Sequence, residues 1–389
     1  MPTVYGQDLS RRELARRTGR LGAVAEVRLV TLGEGAERGV RVLEFRTGTG
    51  LQFDVLVDRC MDVGAVSYRG AAIGWQSPTG FRTPWLHDPE GERGLGFLRS
   101  FTGFMNTCGL DHAFFMETLP AERYLYPPRE AVDQPLHGRA PFTPARLTGY
   151  GTRWDGDDCV LWAEGEVIQA AVYGENLHLF RRIEARVGDN SFTIEDRVEN
   201  HGFSPTPHML LYHVNLGYPL LDEGSEFRAP VERLMWRGHE AYQNGVGYRT
   251  MPAPQPGFIE QVYSHAVAAE ADGTVPAALI NRRLDLGDGP GLGFLIEYNR
   301  NDLPVLLQWQ NMQDGGYALG IEPGTAHPGG SALNAEHGLL RTLDHGEACT
   351  YRTRFSAVAG AEAIAALETR IDAVHPQSTD EFPDPTGIG

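Results

Sequence analysis

Three separated segments each place a titratable side chain where burial and neighbouring charge can tune it. They are Pro135-Leu136-His137-Gly138-Arg139, Leu211-Tyr212-His213-Val214-Asn215 and Leu319-Gly320-Ile321-Glu322-Pro323. His137 stands in a turn, His213 near the end of an apolar strand-like run, and Glu322 at the close of another. A carboxylate buried at a strand end is costly unless it is hydrogen-bonded or engaged in proton transfer. Burial also lifts its pKa toward the range of a general base. Two histidines and a carboxylate brought together would supply an acid, a base and an orienting group, the set that opens a sugar hemiacetal. Each also has a plainer reading: a surface-loop histidine, a satisfied core histidine and a carboxylate paired with an arginine.

Other residues offer weaker chemistry. Arg59 and Asp62, in Asp58-Arg59-Cys60-Met61-Asp62, follow a strand and read as an ion pair more readily than as ligand contacts. Arg99, Asn106 and His112 lie in a glycine-containing stretch and could hydrogen-bond hydroxyls. Trp309 fits either a core or a sugar-stacking platform. His208, five residues before His213, would face the other side of a regular strand. Phosphate-binding glycine loops and a GxSxG elbow are absent from the sequence. Cys60, Cys108, Cys159 and Cys349 are too widely spaced for a zinc knuckle or a disulfide framework. No cofactor is implied.

The elements that must position these residues are mostly strands. Leu51 to Val57 alternates at period two, as does Arg181 to Val187. Gly188-Asp189-Asn190 then turns the chain into Phe192, Ile194 and Val198, the clearest hairpin. Further strands are expected at 24–31, 40–46, 160–168, 209–214, 293–298, 305–310, 317–322 and 348–357. Short helices are expected at 9–17 and 361–372. With 47 glycines and 25 prolines punctuating short strands, the pattern is that of an all-β sandwich or barrel. The stretches at 76–94 and 250–257 read as long loops that could carry a site. The expected organisation is a helical lead-in at 1–23, one β domain at 24–358, and a helix with a loose tail at 359–389. A net charge of −17 argues against nucleic acid or an anionic membrane as partner. With no membrane-length apolar run and no apolar leader, a cytoplasmic location is expected.

In this order the segments resemble those of the aldose 1-epimerase (galactose mutarotase-like) superfamily, and more narrowly its uncharacterised bacterial branch. The likeness rests on Asp58-Arg59-Cys60-Met61-Asp62-Val63-Gly64, Thr107-Cys108-Gly109-Leu110, Leu136-His137-Gly138-Arg139, Asn215-Leu216-Gly217-Tyr218-Pro219-Leu220-Leu221-Asp222 and Gly320-Ile321-Glu322-Pro323. The resemblance implies a β-supersandwich of large antiparallel sheets with short peripheral helices. It implies a sugar site on a concave sheet face, with His137 near the sugar ring, His213 as general acid and Glu322 as general base. The family segment Asn-His-x-Tyr-Phe-Asn-Leu is shortened here to Tyr212-His213-Val214-Asn215-Leu216, and Arg99 is the one candidate for the family's sugar-gripping arginine. The implied partner is a small carbohydrate, and a homodimer is compatible with the sequence. The expected function is a mutarotase or epimerase of a free sugar or sugar acid. Two alternatives stand beside it: a metal-assisted sugar isomerase or lyase using His137, His213 and Glu322 as ligands, and a carbohydrate-binding protein without activity.

Overall fold

The computed structural model describes residues 1–238, 247–287, 289–380 and 383–387. Positions 381, 382, 388 and 389 of the expected tail lie outside the described residues. The fold is all-β, built on antiparallel sheets. The first large sheet runs in the order Arg146–Asp155, Asp158–Ala170, Asn176–Arg186, Ser191–Asn200, Ala348–Ala359, Pro290–Asn299, Thr274–Asp285 and Glu226–Arg228. Its central hairpin pairs Leu177 with Asn200 through to Ala185 with Phe192, around the expected turn. Along Asn176–Arg186 the buried residues alternate strictly, which sends Arg181 inward with Leu179 and Ile183.

The second large sheet runs Val231–Gly238, Gln261–Val267, Val305–Asn311, Ala318–Gly324, Thr206–Leu216 and Arg341–Leu343, with Met105–Leu110 also pairing to Thr206–Leu216. A smaller sheet spans Glu26–Thr31, Arg41–Arg46, Leu51–Leu56, Asp62–Tyr68 and Ala71–Ala72. The main core lies between these layers. Leu210, Tyr212, Val214, Leu319 and Ile321 of the second sheet share it with Leu179, Ile183, Phe192 and Phe355 of the first. Helix Ala361–Val374 lays Ile364, Leu367 and Ile371, one stripe at helical spacing, against Ala278, Ile280 and Leu295. Among the described residues no helix is long and apolar enough to cross a membrane.

Period-two alternation gives the second sheet two apolar faces. Tyr212 and Val214 point into the main core, while Leu211, Leu307, Trp309 and Ala318 belong to a separate cluster on the opposite face with Trp75, Phe97, Phe101 and Phe114. His213 and Glu322 share that second face. From the core side, Tyr212 donates to Asp196 Oδ2 at 2.6 Å. Asp196 also holds Arg181 at 2.6 Å, and Arg181 reaches Asp62 at 3.0 Å and Thr107 Oγ1 at 2.8 Å. A buried guanidinium is tolerable only with such full pairing, and removing one partner of a buried pair typically costs about 3–5 kcal/mol. The network fixes the strand that carries His213 from behind.

Candidate active site

The register of the antiparallel strands brings His213 and Glu322 together. Val214 pairs with Ile321 and Asn215 with Gly320, which sets His213 directly across from Glu322. Leu307 pairs with Glu322 on the next strand and Val262 with Trp309 beyond it. Cross-strand neighbours share a face, so the five residues form one continuous floor. His213 Nδ1 lies 3.2 Å from Glu322 Oε1, with each side chain only about one-twentieth exposed at 5% and 4%. Both atoms are sealed from solvent and have no hydrogen-bond partner among the described residues.

Gly320 makes room for this pair. A Cβ there would fall 2.1 Å from Glu322 Oε1. His137 arrives from the turn, at φ 62°, followed by Gly138 at φ 76°. A side chain at Gly138 would collide with the carbonyl oxygens of His112 and Gly109 at 2.1 and 2.3 Å, so the turn needs glycine. The His137 ring stands 5.2 Å from that of His213, edge to face. Its Nδ1 lies 2.9 Å from the Ala113 carbonyl. A carbonyl only accepts, so Nδ1 carries the proton and Nε2 is left as an acceptor.

The surroundings are aromatic. Phe101 and Trp309 rings lie 4.9 and 5.5 Å from His213, and Phe97 lies 4.7 Å from His137. Together with Trp75, Phe114 and Leu136 they enclose a cavity of about 360 Å³. Glu260 stands at one side, accepting from Trp309 Nε1 at 2.7 Å. Burial drives the electrostatics. It pushes the Glu322 carboxyl up to about 8, with the Glu260 charge adding to the effect. Burial likewise lowers His213 well below its usual range, helped by His137, and lowers His137 to about 4. Near neutral pH both imidazoles are therefore uncharged and Glu322 holds a proton. Burial thus opposes a standing imidazolium at His213.

His137, His213, Glu322 and Trp309 line this one cavity; the other candidates do not. Asp62 is held by Arg181 and Thr107 on the core side, and burial raises its pKa to about 6 against the pull of Arg181. Arg59 is not its ion-pair partner: it stacks on Phe142 at 4.5 Å and donates to the carbonyls of Gly80 and Ser100. Arg99 is exposed and bound to Glu92. Asn106 sits opposite His213 in register, facing Asn215 at 3.5 Å. His112 contacts the Phe115 carbonyl at 2.7 Å. His208 lies away from the site, between the Leu110 carbonyl and Tyr351. Cys108 is buried, and its thiol is raised well above the usual range. Sequence reasoning missed Glu260, Trp75, Phe97, Phe101 and Phe114. The available signal was position: Glu260 follows the loop at 250–257, and Phe97 and Phe101 follow the loop at 76–94. Among the described residues no group of three or more His, Cys, Asp or Glu side chains is arranged to hold a metal ion.

These antiparallel sheets make an all-β fold of the galactose mutarotase-like type. The chain belongs to the family described as a domain of unknown function, DUF4432, whose model matches residues 37–357. Among solved structures, a "putative aldose 1-epimerase" of Klebsiella pneumoniae subsp. pneumoniae superposes with a TM-score of 0.82. That match covers 93% of this chain and 91% of the other, at 24% identity. A galactose mutarotase-like protein of Clostridium acetobutylicum gives 0.56 at 12% identity, covering 86% of this chain and 99% of its own. The galactose 1-epimerase of Lactobacillus acidophilus gives 0.52 at 13%, covering 87% and 100%. At these identities the likeness is one of fold. No curated protein matches the chain in sequence.

Proposed function

We propose that this protein is a carbohydrate mutarotase, interconverting the α and β anomers of a small free sugar by opening and reclosing its ring. The observation that supports this most is the His213–Glu322 contact on the floor of the aromatic-walled cavity. Mutarotation removes a proton from the anomeric oxygen and delivers one to the ring oxygen, with no net transfer to the protein. In an apolar cavity a separated charge is costly, so a relay that stays neutral at both ends suits the site. Glu322 passes its proton across 3.2 Å to His213 Nδ1. His213 Nε2 gives its proton to the ring oxygen, and the second carboxyl oxygen of Glu322 takes the anomeric one. The open aldehyde turns about its first carbon–carbon bond, and reclosure reverses each transfer. His137 Nε2 accepts from a sugar hydroxyl and orients the ring, and Trp309 offers its face.

Positioned acid–base groups of this kind contribute roughly 10²–10⁴-fold in rate. Proton NMR saturation exchange on a panel of reducing sugars tests the reading. Enzyme-dependent anomer exchange that Glu322→Gln and His213→Asn both abolish is the expected result. Folded protein that accelerates exchange of no sugar would refute it.

A further inference from the structure

Away from its reacting end, the cavity offers a ligand few polar partners among the described residues. Resting on the mutarotase reading, we propose that the substrate is a neutral reducing sugar carrying an apolar group, a deoxy or ether-linked position, on the part directed away from its anomeric carbon. Two observations carry this independently.

The first is charge. Among the described residues, the ionisable side chains lining the cavity are His137, His213, Glu260 and Glu322, with no arginine. The chain contains no lysine. An adjoining groove that shares Met116 carries Arg93, but beside Glu90, Glu117 and Asp133. With Glu322 protonated, a sugar phosphate or sugar acid meets Glu260 and the acidic groove and finds no lysine or arginine as counterion among the described lining residues, which discriminates against it.

The second is the wall itself. Phe97, Phe101 and Phe114 line the interior, and Leu98, Phe115 and Met116 continue the apolar surface outward. These last three are 52%, 43% and 45% exposed, an apolar mouth already open to solvent. A fully hydroxylated sugar pressed against that wall would lose water from its hydroxyls without regaining hydrogen bonds. A methyl or ether group would lose nothing and cover apolar surface. The volume of about 360 Å³ lies in the range of pockets that enclose a whole small ligand.

The test holds the ring constant and varies carbon 6: glucose, 6-deoxyglucose, 6-O-benzylglucose, glucose 6-phosphate and glucuronic acid, with the matching galactose and mannose series. Binding is read by tryptophan fluorescence in the Glu322→Gln protein, because Trp75 and Trp309 line the cavity and turnover is then removed from the signal. In at least one series the deoxy and benzyl sugars should bind about tenfold tighter than the parent hexose, as expected for apolar complementarity. The phosphate and the uronic acid should bind at least tenfold weaker. Parent, phosphate or uronate binding as tightly as the deoxy sugar in every series would overturn the proposal, as would no response to any sugar. Met116→Arg, at a half-exposed mouth position, should recover about tenfold of the phosphate's deficit; an unchanged deficit counts against the charge argument. The underlying reading fails separately, when sugars that bind show no anomer exchange with the wild-type protein.

Discussion

Replacing Glu322 by glutamine should stabilise the fold while removing the chemistry. Burial lifts this carboxyl from 4.5 to about 8. Between those values the native state keeps a proton that the unfolded chain has already lost, so the group's contribution to stability is intact below pH 4.5 and drains away as pH rises through 8. At 1.36 kcal/mol per pKa unit, ionisation-linked destabilisation comes to about 3 kcal/mol at pH 7 and approaches about 5 kcal/mol above pH 9. Glutamine keeps the shape and cannot ionise, so the variant escapes this cost. At roughly 2.1 cal/mol/K of unfolding entropy per residue over 389 residues, the gain corresponds to about 4 °C in Tm at pH 7. Near pH 9 it should reach about 6 °C by the same conversion. The lowered pKa of His213 acts in both proteins and cancels in the comparison. Paired thermal melts at pH 6, 7, 8 and 9 measure the effect. A variant no more stable than wild type, or a gain that does not grow with pH, would refute the assignment of Glu322 as a carboxyl held neutral by burial.

Other perturbations act on the same pair. Gly320→Ala places a methyl group where Glu322 Oε1 now lies; the carboxyl must swing off His213, so kcat should fall about 100-fold or more with little change in Tm. Unchanged kcat would mean that the contact is not used. Glu260→Gln removes a charge that raises Glu322, so the alkaline fall in kcat/KM should move to lower pH; a move to higher pH contradicts the electrostatics. His137→Ala removes one hydrogen-bond acceptor and should raise KM roughly tenfold with a smaller effect on kcat. A loss of kcat as large as that of Glu322→Gln would make His137 part of the proton path instead.

Much of the fold was legible because it rests on local pattern. The hairpin from Asn176–Arg186 to Ser191–Asn200 follows from period-two burial and one glycine turn, and the helix Ala361–Val374 from its apolar stripe. His213 and Glu322 were legible as costly groups at the ends of apolar strands. Their partnership depends on register across two strands separated by more than a hundred residues, which residue type alone does not specify. The same limit applies to Asp62 and Arg59. Three positions apart in sequence, they suggest a pair, yet the partner of Asp62 is Arg181, delivered by another sheet. Arg181 was in turn hidden inside an alternating strand where a charge looks like the solvent face. The aromatic wall is not legible because Phe97, in the single 3-10 turn Gly96–Arg99, and Phe101 just after it sit in a segment too short to show a period, and they acquire meaning only when that segment folds over the sheet. Arg99 was chosen for its chemistry, and chemistry does not report exposure.

In a neutral relay the proton of the pair rests on Glu322 at pH 7. Carbon-13 NMR of carboxyl-labelled glutamate, titrated from pH 4 to 10, tests it directly when run beside the anomer-exchange rate on the same sample. One carboxyl should titrate with a midpoint near 8, absent from Glu322→Gln, and the exchange rate should fall across that same midpoint. A Glu322 midpoint in the ordinary range near 4.5, or a rate that does not change while Glu322 ionises, would contradict it.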